Sequence, residues 1–184
     1  MSTTTILETG SALPVGTWKL DPVHSHVGFA VEYGVGTFHG SFAGVEASLQ
    51  IDDGGDVVLT GSAPVGGVRV QDENLAAHLQ SPDFFDAERT PSVEFRSTEI
   101  ERDGDEVRVF GGLEIKGATV PVKATGKIVD PAVDAHGNTR FGLTLETVVD
   151  RTEFGLNWNM DLPNGEPALA NDVTLSVDLY FVEE

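Results

Sequence analysis

The chain has 184 residues, with 11 basic and 30 acidic side chains, a formal net charge of −19 and no cysteine. Its length suits a single domain, and the lack of cysteine excludes disulfides, thiolate metal sites and a cysteine nucleophile. The negative charge would repel phosphate backbones and anionic membrane surfaces, so nucleic acid is not an expected partner.

The N-terminal residues 1–15 predict a flexible segment in front of one domain that spans residues 16–184. This segment has neither a basic region nor an apolar stretch of the kind that directs secretion. No run in the sequence approaches the roughly 18 apolar residues of a membrane-spanning helix. We therefore expect a cytoplasmic protein that does not insert stably into membranes.

Alternating apolar and polar residues predict about eight β-strands. The terminal strand shows the pattern most clearly, with Val173, Leu175 and Val177 on one face and Thr174 and Ser176 on the other. Glycine, aspartate and proline separate most of the strands, which indicates hairpins and an antiparallel sheet. The predicted strands span residues 23–33, 37–51, 57–70, 93–101, 106–115, 119–129, 140–150 and 171–182.

Two segments depart from this pattern. Leu75, Ala76 and Leu79 have helical spacing ahead of Pro82, which predicts a short helix that caps one end of the sheet. Residues 151–170 are too long and too polar for a tight hairpin and predict a helical turn followed by a loop.

Eight strands with one apolar face favour closure into a barrel, because closure removes the exposed edges of the sheet. The fold class is therefore predicted to be all-β, an extended eight-stranded antiparallel β-barrel with a short helix capping one end. Several strands of 11 to 15 residues would make the barrel tall. A narrow apolar tunnel and an interior filled by side chains both remain open, and the pattern alone slightly favours the filled interior.

Few residues indicate catalysis. His24 and His26 lie two residues apart on one strand face, so with His39 or Glu32 they could bind a metal ion or serve a metal-dependent enzyme. The apolar residues of that strand have the opposite parity, which directs both histidines away from the interior. No Gly-x-Ser-x-Gly elbow, His-Glu-x-x-His helix or phosphate-binding loop is present. We therefore expect a binding protein rather than an enzyme.

Arg151, at the end of a predicted strand, is a charged candidate for ligand binding. It could meet an anionic head group of a ligand, such as a phosphate, but pairing with a neighbouring carboxylate is the favoured alternative. Phe84 and Phe85 are predicted to plug the end of the barrel.

Four motifs occur in order along the chain: GTWKLDPVHSHVGFAVEY, TFHGSF, HLQSPDFFDAERTPSVEFRST and DRTEFGLNWN. Together they resemble the YceI-like family of lipocalin-like polyisoprenoid-binding proteins, from about Gly16 to Val182. The resemblance implies an extended eight-stranded barrel with a helix over one end. It also implies that a long-chain isoprenoid, a polyprenyl phosphate or an isoprenoid quinone precursor, lies in the lumen for storage or transport.

The resemblance also assigns motif residues. The Asp-x-x-His-Ser pattern of the family falls on Asp21, His24 and Ser25, and its Arg-x-x-Phe-Gly pattern falls on Arg151, Phe154 and Gly155. The bound lipid is the expected ligand, no cofactor is required, and a homodimer is left open. The candidate lumen or gate side chains are Phe29, Val31, Phe38, Phe42, Phe84, Phe85, Phe95 and Phe141.

Overall fold

The computed structural model describes residues 13–184, which form antiparallel strands, one α-helix and two 3₁₀ turns. The predicted flexible segment 1–15 lies mostly outside these residues. Helix α1 spans Glu73–Gln80, and the 3₁₀ turns span Val65–Gly67 and Arg151–Phe154. The strands are β1 Gly16–Leu20, β2 His26–Tyr33, β3 Gly36–Phe42, β4 Glu46–Ile51, β5 Val57–Pro64, β6 Val68–Arg69, β7 Ser92–Asp103, β8 Glu106–Ile115, β9 Ala118–Val133, β10 Thr139–Asp150 and β11 Leu169–Glu183.

Eight of these strands close into a barrel. The ring runs β1-β4-β5-β7-β8-β9-β10-β11, and β11 pairs with β1 through Leu20 and Phe181 to complete it. Every pairing in the sheet is antiparallel. The predicted closed eight-stranded barrel with one short helix is therefore confirmed.

Strand β11 is long enough to pair with two different strands along the same edge. Its C-terminal part pairs with β1, and its N-terminal part pairs with β2 from Val173↔Val31 to Asp178↔His26. Strand β3 continues outward from β2, and the two-residue β6 pairs with β3. We call the part of the barrel completed by β1 and β4 the lower half, and the part completed by β2, β3 and β6 the upper half.

This arrangement corrects two strand predictions and adds one strand that was not predicted. Residues 37–51 form two strands, β3 and β4, because the chain passes there from the upper to the lower half of the barrel. Residues 57–70 are likewise divided into β5 and β6 by the 3₁₀ turn Val65–Gly67. Strand β1 was not predicted, since its five residues are too few to display a clear alternation.

The β8–β9 turn ties the barrel to the segment that follows α1. Lys116 and Gly117 both have positive φ, 52° and 80°, which the tight two-residue hairpin requires. From this turn the Lys116 Nζ atom donates a 2.6 Å hydrogen bond to the Pro82 carbonyl. At the other end of the helix, the Asp72 carboxylate accepts from the Leu75 amide and caps the first turn.

The interior contains two groups of buried side chains. The lower core fills the lower half and consists of Trp18, Leu49, Ile51, Val57, Leu59, Ile100, Val107, Val109, Ala124, Ile128, Phe141, Leu143, Leu145, Leu179 and Phe181. The upper cluster consists of Phe29, Val31, Val68, Leu79, Phe84, Leu113, Ile115, Val149, Phe154, Leu156 and Leu169. Only the lower core packs across the full width of the barrel, since a cavity lies inside the upper half.

Candidate functional site: an apolar cavity in the upper half of the barrel

The cavity has a volume of about 570 Å³ and is bounded by the barrel wall and α1. Its floor includes Leu59, Leu145 and Leu179 of the lower core. Both walls and floor are mainly hydrocarbon, because the inward positions of the alternating strands carry valine, leucine and phenylalanine. The lumen of the upper half is thus an apolar space that side chains do not fill.

Seven of the predicted lumen or gate side chains line this cavity: Phe29, Val31, Phe38, Phe42, Phe84, Phe85 and Phe95. The eighth, Phe141, lies in the lower core, where its ring stacks on Phe181 at 5.0 Å and meets the Trp18 ring edge-on at 4.9 Å. Alternation correctly directs Phe141 inward but does not show its height in the barrel, and it lies at the lower end of β10. Whether any of these side chains contacts ligand stays a prediction.

Helix α1 and the segment after it contribute an aromatic group to the cavity. The His78 ring packs edge-on against Phe84 at 5.0 Å and against Trp158 at 4.9 Å. The His78 Nε2 atom lies 3.0 Å from the Asp83 carboxylate, so the imidazole is held from its outer side. Leu75 and Leu79 of the same helix face the cavity as well.

Several polar side chains of the lining already have partners. The Thr147 hydroxyl donates to the Lys123 carbonyl at 2.8 Å. The Tyr33 hydroxyl lies 3.5 Å from the Met160 sulfur. Because these groups are engaged, the cavity offers a ligand mainly carbon surface.

Arg151 is buried, and its guanidinium faces backbone carbonyls. Its Nε donates to Ala170 at 2.8 Å and its Nη1 to Leu156 at 2.6 Å and Trp158 at 2.8 Å, and Nη2 reaches Leu169 at 3.3 Å. Burial lowers the pKa of Arg151 from its usual value, and the negative charge of Asp150 opposes this shift.

The carboxylate next to Arg151 in the sequence, Asp150, has other hydrogen-bond partners. Asp150 accepts from the Thr152 amide at 2.9 Å and from its hydroxyl at 2.6 Å, and these bonds lower the pKa of Asp150. Arg151 therefore anchors both ends of the loop between the 3₁₀ turn and β11. In the same motif, Phe154 lines the cavity and Gly155 ends the turn with a φ of 77°.

The Asp-x-x-His-Ser motif lies away from the cavity lining. Asp21 accepts hydrogen bonds from His24 at 2.7 Å and from Arg140 at 2.5 Å. The His24 hydrogen bond, with Arg140 contributing, lowers the pKa of Asp21 from 3.8 to about 2. Arg140 also binds Asp134, and the Ser25 hydroxyl accepts from the Tyr180 amide at 3.0 Å. The motif joins the β1–β2 connection to β10 and β11.

The histidines proposed as metal ligands are not gathered into a site. His24 is bound to Asp21, and the ring of His26 lies over Gly28 on the outer face. Within residues 13–184, no three histidine, cysteine, aspartate or glutamate side chains, His39 included, come together in a group that could hold a metal ion.

The sequence pattern missed part of the lining. Trp158 and Leu156 come from the irregular loop, where no periodicity assigns a side chain to the interior. Leu113 and Ile115 could have been identified from the alternation of β8, which places both at inward positions.

Among residues 13–184, no helix has the length and apolar composition needed to cross a membrane.

Residues 18–181 match the family model of the YceI-like domain. The chain belongs to the YceI-like family. Protein YceI of Escherichia coli O157:H7 is 26% identical over 175 residues, which cover 92% of this chain and 88% of the relative. The resemblance recognised in the four motifs is thereby confirmed.

Solved structures show the same fold. BcnA of Burkholderia cenocepacia superposes with a TM-score of 0.73 at 20% identity, covering 88% of this chain and 98% of that protein. A polyisoprenoid binding domain from Saccharophagus degradans, implicated in plant cell wall breakdown, gives a TM-score of 0.64 at 10% identity, covering 91% and 98%. At these identities the similarity establishes the architecture of the YceI-like chain and not its ligand.

Proposed function

We propose that this protein binds a long-chain polyisoprenoid lipid, a polyprenyl phosphate or an isoprenoid quinone precursor, for storage or transport. The observation that carries the proposal is the apolar cavity of about 570 Å³ in the upper half of the barrel. This volume lies within the roughly 300–1,000 Å³ typical of ligand pockets. The description of the Saccharophagus degradans domain as polyisoprenoid binding supports the same ligand class.

The chemistry of the lining favours the hydrocarbon part of such a lipid. Burial of each CH₂ group contributes about 0.8 kcal/mol, so one ten-carbon unit would contribute roughly 8 kcal/mol before the cost of ordering the chain. A phosphate buried among engaged polar groups would lose its hydration without gaining partners. We therefore place the chain in the cavity and the head group outside it.

Binding rather than catalysis is the role that the lining supports. Two of the titratable side chains that line the cavity, His78 and Arg151, are held by Asp83 and by backbone carbonyls. Neither is paired with a nucleophile of the kind that acyl transfer or hydrolysis uses.

The direct test is organic extraction of the purified protein followed by mass spectrometry, repeated after incubation with a polyprenyl phosphate. We expect a polyisoprenoid to be recovered in stoichiometric amount. A matched pair of variants on β9 localises it: Val122 lines the cavity, whereas Val129 is 68% exposed on the outer face. Val122→Trp should abolish recovery and Val129→Trp should retain it. No lipid from the wild type under either condition would refute the proposal.

A further inference from the structure

Two glycines of the upper half lie beneath phenylalanine rings. Gly40 on β3 is the direct cross-strand partner of Phe29 on β2, and a Cβ atom built on Gly40 would lie 2.3 Å from the tip of the Phe29 ring. Real Cβ atoms do not approach carbon this closely, so the ring occupies the space that a side chain at residue 40 would need.

The same device recurs on a second wall. A Cβ atom on Gly111 of β8 would lie 2.6 Å from the Phe95 ring of β7 and 2.3 Å from the Arg96 carbonyl oxygen. Glycine within a strand often marks such a close approach, since it otherwise weakens the strand. Phe29 and Phe95 therefore both lie against the barrel wall instead of projecting across the lumen.

The rings form part of the cavity surface while the glycines beneath them do not. Phe29 and Phe95 line the cavity. The Phe29 ring is further flanked by Phe38 at 6.1 Å and Phe42 at 5.7 Å, the residues two before and two after Gly40. Because Phe38 and Phe42 flank the Phe29 ring, a side chain added at residue 40 can displace the ring only into the lumen.

We infer that Gly40 and Gly111 set the width of the cavity by seating the Phe29 and Phe95 rings against the wall, and that this width admits a methyl-branched chain. A methyl group at residue 40 would displace the Phe29 ring by at least about 1 Å to restore normal contact distance. The narrowed lumen would then exclude branched chains more strongly than thinner unbranched ones. This inference rests on the proposed function and names the residues that select its ligand.

The test compares Gly40→Ala with Gly61→Ala, using farnesol as a branched probe and hexadecanol as an unbranched probe. Gly61 also faces the cavity, but a Cβ atom there would meet nothing closer than 3.7 Å, so it adds the same methyl group without displacing a ring. We expect Gly40→Ala to weaken farnesol binding about tenfold. Hexadecanol binding to Gly40→Ala, and binding of either probe to Gly61→Ala, should change less.

A second substitution distinguishes displacement of the Phe29 ring from general damage to the barrel as the cause of weaker binding. The double variant Gly40→Ala, Phe29→Leu removes the ring that the new methyl group strikes, and we expect it to recover farnesol binding. If Gly40→Ala does not fold, Phe29→Leu alone should raise the affinity for farnesol relative to hexadecanol.

Several outcomes would overturn the inference. Equal losses in Gly40→Ala and Gly61→Ala, failure of the double variant to recover, or an unchanged probe ratio in Phe29→Leu would each do so while leaving lipid binding intact. A wild-type protein that retains a polyprenyl phosphate but binds neither probe would overturn this inference alone, and one that binds none of the three lipids would refute the proposed function as well.

Discussion

The two halves of the barrel share their long strands but differ in how far side chains fill the interior. In the lower half, buried side chains from all eight strands of the ring form one core, in which Phe141 stacks on Phe181 and meets Trp18 edge-on. In the upper half, the rings of Phe29 and Phe95 lie against the wall, and a cavity remains. The comparison teaches that alternation makes the barrel in both halves, and we attribute the unfilled interior of the upper half to Gly40 and Gly111, which lie beneath those two rings.

The division also separates stability from binding. A filled core contributes through close packing, and loss of a large side chain leaves a cavity that the neighbours cannot close. A side chain that already borders an empty space loses fewer contacts when it is shortened. We therefore expect the lower half to dominate the free energy of unfolding and the upper half to dominate ligand affinity.

The largest expected effect comes from emptying the lower core. Trp18 is fully buried, and Trp18→Ala should lower the free energy of unfolding by about 3–5 kcal/mol. Phe38→Ala, which shortens a half-buried side chain of the cavity lining, should cost less than half as much. Urea denaturation of both variants measures the difference, and equal costs would contradict the division into two halves.

The next effect concerns the loop that borders the upper half. Arg151→Met would leave the carbonyls of Leu156, Trp158 and Ala170 without their donor, and should lower the free energy of unfolding by about 2–3 kcal/mol. Arg89→Met is the matched control, because the Arg89 side chain is 84% exposed. Urea denaturation and limited proteolysis of the loop should both distinguish the variants. A loop in Arg151→Met as resistant as that of the control would show that the anchor is not needed.

The smallest effect is a pH dependence that arises outside both interiors. The pKa of Asp21 is lowered to about 2, so its contribution to stability is fully present above its ordinary pKa of 3.8 and is lost as the pH falls towards 2. Asp21→Asn should lower the free energy of unfolding at neutral pH by less than about 1 kcal/mol, since the network is partly exposed. It should also flatten the pH profile in that window.

The control for this profile is Asp53→Asn, in the exposed β4–β5 turn. Urea denaturation between pH 4 and 2 provides the comparison. An Asp21→Asn profile as steep as that of the wild type would assign the acid sensitivity to other carboxylates.

Alternation along the strands was enough to predict the closed barrel and to direct most of the predicted phenylalanines inward. It could not place Phe141 in the lower core, because parity identifies the face of a strand and not its height. It also missed β1, whose five residues show a single fully buried side chain, Trp18.

The environment of Arg151 was not predictable for a different reason. Its hydrogen-bond partners are backbone carbonyls of residues 156–170. The sequence of an irregular loop has no periodicity from which the direction of its carbonyl groups could be predicted. Likewise, the motif of Asp21, His24 and Ser25 is visible in the sequence, but only the structure shows that it binds Arg140 and the Tyr180 amide instead of facing the cavity.

The two tryptophans allow the central claim to be tested in one titration, because Trp158 lines the cavity and Trp18 lies in the lower core. A polyprenyl chain that carries a nitroxide should quench the fluorescence of Trp158 in a Trp18→Phe variant. It should leave Trp18 largely unquenched in a Trp158→Phe variant. Quenching of Trp158 alone is the result expected for a lipid in the upper half. No quenching of Trp158, or equal quenching of both tryptophans, would contradict the account.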